Sequence, residues 1–241
     1  GAHDGKSWRH HWRVRTVRDK MADEYGALFR MLLREADLTM ASFDHIVVAS
    51  VVPPLTGRME EMLGEQTSVA PLVIDHTTPT GLTFAVDNPG EVGADLIANA
   101  VAAHARLEGA CVVVDFGTAT TFTAVSAAAT LLGVAIAPGM NLAAAALSGG
   151  TAQLPQVRLV PPPKAIGTNT IHSIQSGVVL GYVGLLEGMI DRFRSEMGAD
   201  VPVVATGGLS SVIAPLTDYF TAVDPWLTLD GIRLIGARNL F

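Results

Sequence analysis

Asp115-Phe116-Gly117-Thr118-Ala119-Thr120-Thr121 brings together a carboxylate, a glycine and a run of hydroxyls. It follows Ala110-Cys111-Val112-Val113-Val114, a short apolar run that predicts a buried strand. The acid, the glycine and the threonines therefore fall where a strand ends. At such a point glycine lets backbone approach an anion closely. Amides and threonine hydroxyls can donate to phosphate oxygens there, and Asp115 is placed to hold a cation beside the phosphate. The same residues would also make a plain turn after a buried strand, since short motifs often match by chance.

Other segments have the same double character. Pro89-Gly90-Glu91-Val92-Gly93-Ala94-Asp95 leads into a predicted helix, where Asp95 would face free amides and a positive dipole end. Asp95 reads either as a helix-start acid or as a general base taking a proton from an attacking hydroxyl. Ile166-Gly167-Thr168-Asn169-Thr170 precedes another helix and could cap it or bind an oxygen-rich substrate. Thr206-Gly207-Gly208-Leu209 follows an apolar strand, where the glycines either turn the chain or admit a flat ligand such as adenine against the backbone.

Composition narrows the field. The 241 residues, 49% hydrophobic, can bury a substantial core as one large domain or two modest ones. A formal charge of −7 argues against a general nucleic-acid binder. Only Trp8 to Arg18 is locally basic, as a strand with a solvated face would be. The single cysteine, Cys111, rules out an internal disulfide framework and fits a reducing cytosol. The seven histidines show no metal-ligand spacing, and G-x-S-x-G, paired cysteines and G-x-x-x-x-G-K-[ST] are absent. Serine hydrolase, zinc protein and Walker-type ATPase drop away. No signal peptide and no uninterrupted membrane-length apolar stretch is read in the sequence. Phe116 to Val157 carries no charged side chain, which a buried hairpin and helix covered in part by a partner subunit would explain.

These residues must be positioned by alternating strands and helices. Trp8 to Arg15 alternates as a strand, and Thr16 or Asp19 would cap a helix with Tyr25, Leu28, Met31 and Leu32 on one side. Strands are expected at Ile46 to Val52, stopped by Pro53-Pro54, and near Pro71 to Ile74, with a short helix around Met59 to Leu63 between them. Thr77 to Asn88 reads as a loop or edge segment, and Ala94 to Leu107 as an alanine-rich helix. Strands then follow at Cys111 to Val114, Thr121 to Val125, Leu131 to Ile136 and Val201 to Ala205. Helices are expected around Asn141 to Leu147, from Thr170 to Met197 and over Leu229 to Arg238. In the long one, Ile174, Val178, Gly181, Leu185 and Met189 form the inward stripe. The pattern is that of an α/β fold with mixed sheets flanked by helices.

Taken in order, the segments closely resemble the type III pantothenate kinases. The matching stretches are D-N-P-G-E-V-G-A-D-L-I-A-N-A-V-A-A from Asp87, V-V-V-D-F-G-T-A-T-T-F from Val112 and G-V-A-I-A-P-G-M from Gly133. T-A-Q-L-P from Thr151, G-T-N-T-I-H-S-I-Q-S-G from Gly167, A-T-G-G-L from Ala205 and L-T-L-D-G-I-R-L from Leu227 continue the likeness over nearly the whole chain.

The resemblance implies two ribonuclease-H-like, actin-like domains, at residues 1–109 and 110–241, in a cytoplasmic homodimer. It implies ATP-dependent phosphorylation of pantothenate, with Mg2+ accompanying ATP, and no nucleic-acid or membrane partner. By the family pattern Asp95 is the proton acceptor, and Gly93, Ala94, Asp95, Leu96 and Thr170 contact pantothenate. Asp115 would hold a monovalent cation, K+ or NH4+. Gly117 and Thr118 would contact ATP phosphate, and Gly207 and Gly208 the adenosine.

The chain also departs from the pattern. The family opens with a strand and a D-x-G-N-T phosphate loop, and nothing like it stands in Gly1 to Gly5. The chain is thus expected to start at about the second strand of that hairpin; a protein truly lacking the loop would lose half of its phosphate clamp and is expected to be inactive. Leu96 stands where the family has arginine, a residue that grips carboxylates bidentately. Both departures favour a catalytically impaired relative acting as a binding or transcription-accessory protein. Leu96 also admits an actin-like kinase of another small hydroxylated substrate. The retained Asp95, Asp115, Thr118 and Thr170 favour the pantothenate kinase.

Overall fold

Short β-branched runs and alanine-rich amphipathic stretches alternate along the chain, and each becomes an element of a mixed α/β structure. The computed structural model describes residues 1–151 and 153–240, so Ala152 of the T-A-Q-L-P segment and Phe241 lie outside the described residues. In chain order the first elements are β1 (Ala2–His3), β2 (Trp8–His10), α1 (Ala22–Glu35), β3 (Val47–Val48), α2 (Pro53–Gln66), β4 (Leu72–Val73), β5 (Thr83–Phe84) and α3 (Ala94–Leu107). Then come β6 (Cys111–Phe116), β7 (Ala119–Val125), β8 (Thr130–Pro138), α4 (Met140–Gly149), α5 (Thr170–Gln175) and α6 (Gly181–Met197). The chain closes with β9 (Val203–Gly207), α7 (Ser210–Ile213), β10 (Ala222–Val223) and α8 (Leu227–Leu240). The residues group into two compact units: Gly1–Thr80, Gly90–Ala98 and the residues from Ile232 onward in the first, Gly81–Pro89 and Asn99–Gly231 in the second.

In the first unit β1 and β2 form one antiparallel pair, and β3 and β4 one parallel pair. The expected strand over Trp8 to Arg15 is shorter than its alternation predicts. Only Trp8–His10 has a partner, because β1 offers just Ala2 and His3. Trp12 and Val14 instead line an apolar cavity of about 430 Å3 with Phe29, Ile46, Val48 and Met62. Around α1 and α2 the core holds Tyr25, Leu33, Met40, Met62 and Leu63. Met31 is exposed, so the inward face of α1 runs through Tyr25 and Leu33. Met21 occupies the cap position, not Thr16 or Asp19, and its amide donates to Glu24 Oε2 at 2.9 Å. Pro53-Pro54 does not merely stop a strand. It opens α2, whose first turn needs no amide from those positions.

The second unit is built on a six-stranded sheet in the order β10-β9-β6-β7-β8-β5. β10, β9 and β6 run parallel, β6, β7 and β8 form an antiparallel meander, and β5 adds a short parallel edge to β8. β6 and β9 are buried on both faces, which is why Cys111–Val114 and Val203–Ala205 read as unbroken apolar runs. Pleating sends Val112, Val114 and Phe116 to one face, where they meet Phe122, Leu186 and Ile190. Cys111, Val113 and Asp115 point to the other. Burial pushes the Cys111 thiol up to about 12, so it is a packing residue and no nucleophile.

The 28-residue helical run from Thr170 to Met197 is apolar enough to cross a bilayer by length and composition. Its apolar stripe is instead buried against the sheet, as in a core helix. The stripe is Ile174, Val178, Tyr182, Leu186 and Ile190, one residue later than expected beyond Val178. The reason is a wide π-type turn over Ser176–Leu180. Such a turn takes an extra residue, so every following position rotates and Gly181 gives way to Tyr182. The uncharged hairpin and helix are not wholly buried in this chain: Ile136 is 71% and Leu142 55% exposed.

Candidate active site

The end of β6 gathers the polar groups of the second unit. Asp115 is half-buried, and in the sheet register it stands opposite Thr121 of β7 and beside Thr206 of β9. Its Oδ2 accepts a hydrogen bond from Asn99 Nδ2 at 3.0 Å. Asn99, on α3 and 1% exposed, in turn accepts from Thr228 Oγ1 of α8 at 2.7 Å. A carboxylate partly withdrawn from water is costly unless its oxygens are hydrogen-bonded. The relay therefore fixes one carboxylate oxygen and the orientation of the group.

The other oxygen lies against Gly207. A Cβ there would sit 2.5 Å from Asp115 Oδ1 and 2.6 Å from the Phe116 backbone, and Gly207 has φ +88°. Both the space and the conformation exclude a side chain. Its glycine requirement thus comes from the β6–β9 packing beneath Asp115, a role not read in the sequence. The Gly207 carbonyl also accepts from Ser210 Oγ at 2.7 Å. Gly117, Thr118 and Gly208 are exposed around this strand end.

The threonines do not act as one cluster. Thr118 is exposed and Thr121 shares the face of Asp115, but Thr120 pairs with Phe116 on the opposite face and is 1% exposed. Pleating sends that hydroxyl into the core.

In the first unit, Asp95 lies in the first turn of α3, and its Oδ1 accepts from the Leu96 amide at 2.8 Å. A Cβ on Gly93 would come within 2.6 Å of the same oxygen, so Gly93 leaves room for the carboxylate. Ala94 and Leu96 are buried. Thr170 is exposed at the first position of α5, whose cap Asn169 accepts from the His172 amide at 2.9 Å.

Oxygen donors at Asp115 suit a hard cation. Among the described residues no group of three or more His, Cys, Asp or Glu side chains could hold a metal by itself. A cation there would complete its shell from carbonyls, hydroxyls and phosphate, as ions bound through few carboxylates do.

The sequence profile of the type III pantothenate kinases matches residues 1–192. The chain belongs to that family. A type III pantothenate kinase from Roseiflexus castenholzii is 48% identical over 239 residues, 99% of this chain and 94% of its own. One from Moorella thermoacetica is 46% identical over the same shares. A conserved Baf family protein from Campylobacter jejuni, 22% identical over 82% of this chain and 84% of its own, has the same fold with a TM-score of 0.53. Asn99 and Thr228 were not singled out in the sequence of this type III pantothenate kinase family member. The available signal was a lone amide in the alanine run of α3, one turn after Asp95.

Asn99→Ala should lower stability by about 2 kcal/mol, because it strips Asp115 of a donor and Thr228 of an acceptor. In thermal unfolding this is a fall of roughly 4–8 °C for a chain of this size. Thr228→Val should cost about half as much, and the double variant less than the sum. Additive losses would show that the three residues do not act as one network.

Proposed function

We propose that this chain phosphorylates pantothenate with ATP, the first step of coenzyme A synthesis. Family membership carries the activity, and the Asp115 strand end, with the Gly117–Thr118 turn and Gly207 around it, supplies the phosphate side of the site.

In this reading Asp95 takes the proton of pantothenate's primary hydroxyl as its oxygen attacks the γ-phosphorus. The new O–P bond forms as the bond from that phosphorus to the β,γ-bridging oxygen breaks, and ADP leaves with the bridging oxygen. In a loose phosphoryl transfer the protein's share is mainly positioning and electrostatics. A divalent ion with ATP and a monovalent cation at Asp115 would offset phosphate charge. Thr118 contacts the phosphates, Gly207 and Gly208 adjoin the adenosine, and Thr170 contacts pantothenate. Leu96 offers no positive charge to pantothenate's carboxylate, so that group must find another donor.

The exposed apolar side chains of β8 and α4, Ile136 and Leu142 foremost, support a homodimer closed over this face. Light scattering should then return twice 25.2 kDa. A monomer mass at micromolar concentration would exclude the dimer.

Asp95→Asn keeps the acceptor for the Leu96 amide but cannot take a proton. Its kcat should fall by about 10²–10⁴ with little change in melting temperature; near-normal turnover would show that Asp95 is not the base. Replacing K+ and NH4+ with a bulky organic cation should suppress turnover, and Asp115→Asn should abolish the response. Turnover indifferent to the cation in the unmodified chain would remove Asp115 from that role.

A further inference from the structure

A turn that contacts phosphate is held only as well as the backbone beneath it. Beneath Gly117–Thr118 lies the junction of β8 and α4. Pro138 pairs with Ala119 across the hairpin, and the Gly139 amide donates to the Thr118 carbonyl at 3.1 Å. A Cβ on Gly139 would sit 2.2 Å from Thr118 O and 2.8 Å from Gly117 O. Gly139 has φ −67°, so space alone accounts for the glycine.

The same junction is gripped from the helix layer. The Tyr182 hydroxyl donates to the Pro138 carbonyl, and its ring is buried at 8% exposure. Tyr182 faces the sheet only because the wide turn at Ser176–Leu180 rotates α6 by one position. Wide turns of this kind weaken local helix bonding and recur at functional sites. Burial raises the phenol above its ordinary range, so it remains a donor throughout the working pH range.

We propose that Tyr182 is a positioning residue for the Gly117–Thr118 turn, acting through the Pro138 carbonyl and the close seat of Gly139 on Thr118. The proposal rests on reading that turn as the contact to ATP phosphate. A buried tyrosine hydroxyl needs some acceptor. The acceptor here belongs to the residue that both pairs with Ala119 and precedes Gly139. Releasing it loosens the support of the turn from below.

The test compares the full chain with Tyr182→Phe and Gly139→Ala, measuring KM for ATP, KM for pantothenate, kcat and hydrogen exchange at the Gly139 amide. Tyr182→Phe should raise KM for ATP about fivefold, the effect of one lost hydrogen bond. KM for pantothenate should stay within about twofold, and the Gly139 amide should exchange faster. Gly139→Ala should raise the same parameter further, because its methyl collides with the Thr118 carbonyl. Equal changes in both KM values, or an unchanged KM for ATP with only a lower melting temperature, would make Tyr182 a merely structural residue. If the unmodified chain does not phosphorylate pantothenate, the kinase reading fails instead. Exchange at Gly139 still judges the brace in that case: unaltered exchange in Tyr182→Phe overturns it.

Discussion

A carboxylate at the end of a strand buried on both faces cannot be left to water, and the second unit is arranged around that constraint. Asp115 keeps its orientation because Asn99, itself held by Thr228, directs a donor at one carboxylate oxygen from α3. It keeps its place because β9 passes so close that only glycine fits at position 207. The apolar runs of β6 and β9 make this possible by burying the parallel pair from both sides. The acid stands between the buried Val114 and Phe116, just before the strand gives way to the exposed Gly117.

The same economy governs the turn that follows. Gly117 and Thr118 are exposed, with little packing of their own, so their geometry is inherited from neighbours. One neighbour is β9, through Gly207 and Phe116. The other is the β8–α4 junction, pressed against the turn by Gly139 and tied to the helix layer by Tyr182. A turn held by backbone on two sides has less conformational entropy to lose when a ligand binds.

Much of this was legible in the residues. The apolar body of β6, the extent of α3 and the α/β order follow from apolar periodicity and from glycines and prolines at element ends, which are local properties, whereas β6 itself runs two residues further, through Asp115 and Phe116. Asp95, Asp115, Gly117 and Gly207 stand out because each falls inside a stretch that matches the family pattern. Periodicity failed where pairing or helix geometry intervened. Trp8 to Arg15 alternates as a strand yet pairs only where β1 gives it a partner. The stripe of Thr170 to Met197 shifts after a π-type turn that no residue pattern announces.

Residue type and spacing along the chain suffice for the family, the α/β class and the stretch in which a carboxylate, a glycine and a threonine meet. The tertiary structure alone decided which partners those groups have. Asn99 reaches Asp115 from sixteen positions away and Thr228 reaches Asn99 from 129. Thr120 turns into the core while Thr118 stays outside. Gly139 seats on Thr118, and Tyr182 takes the place expected of Gly181. Hydrogen bonds and close contacts act over a few ångströms in space whatever the distance along the chain, so their partners become fixed only when the sheet register and helix rotation are set.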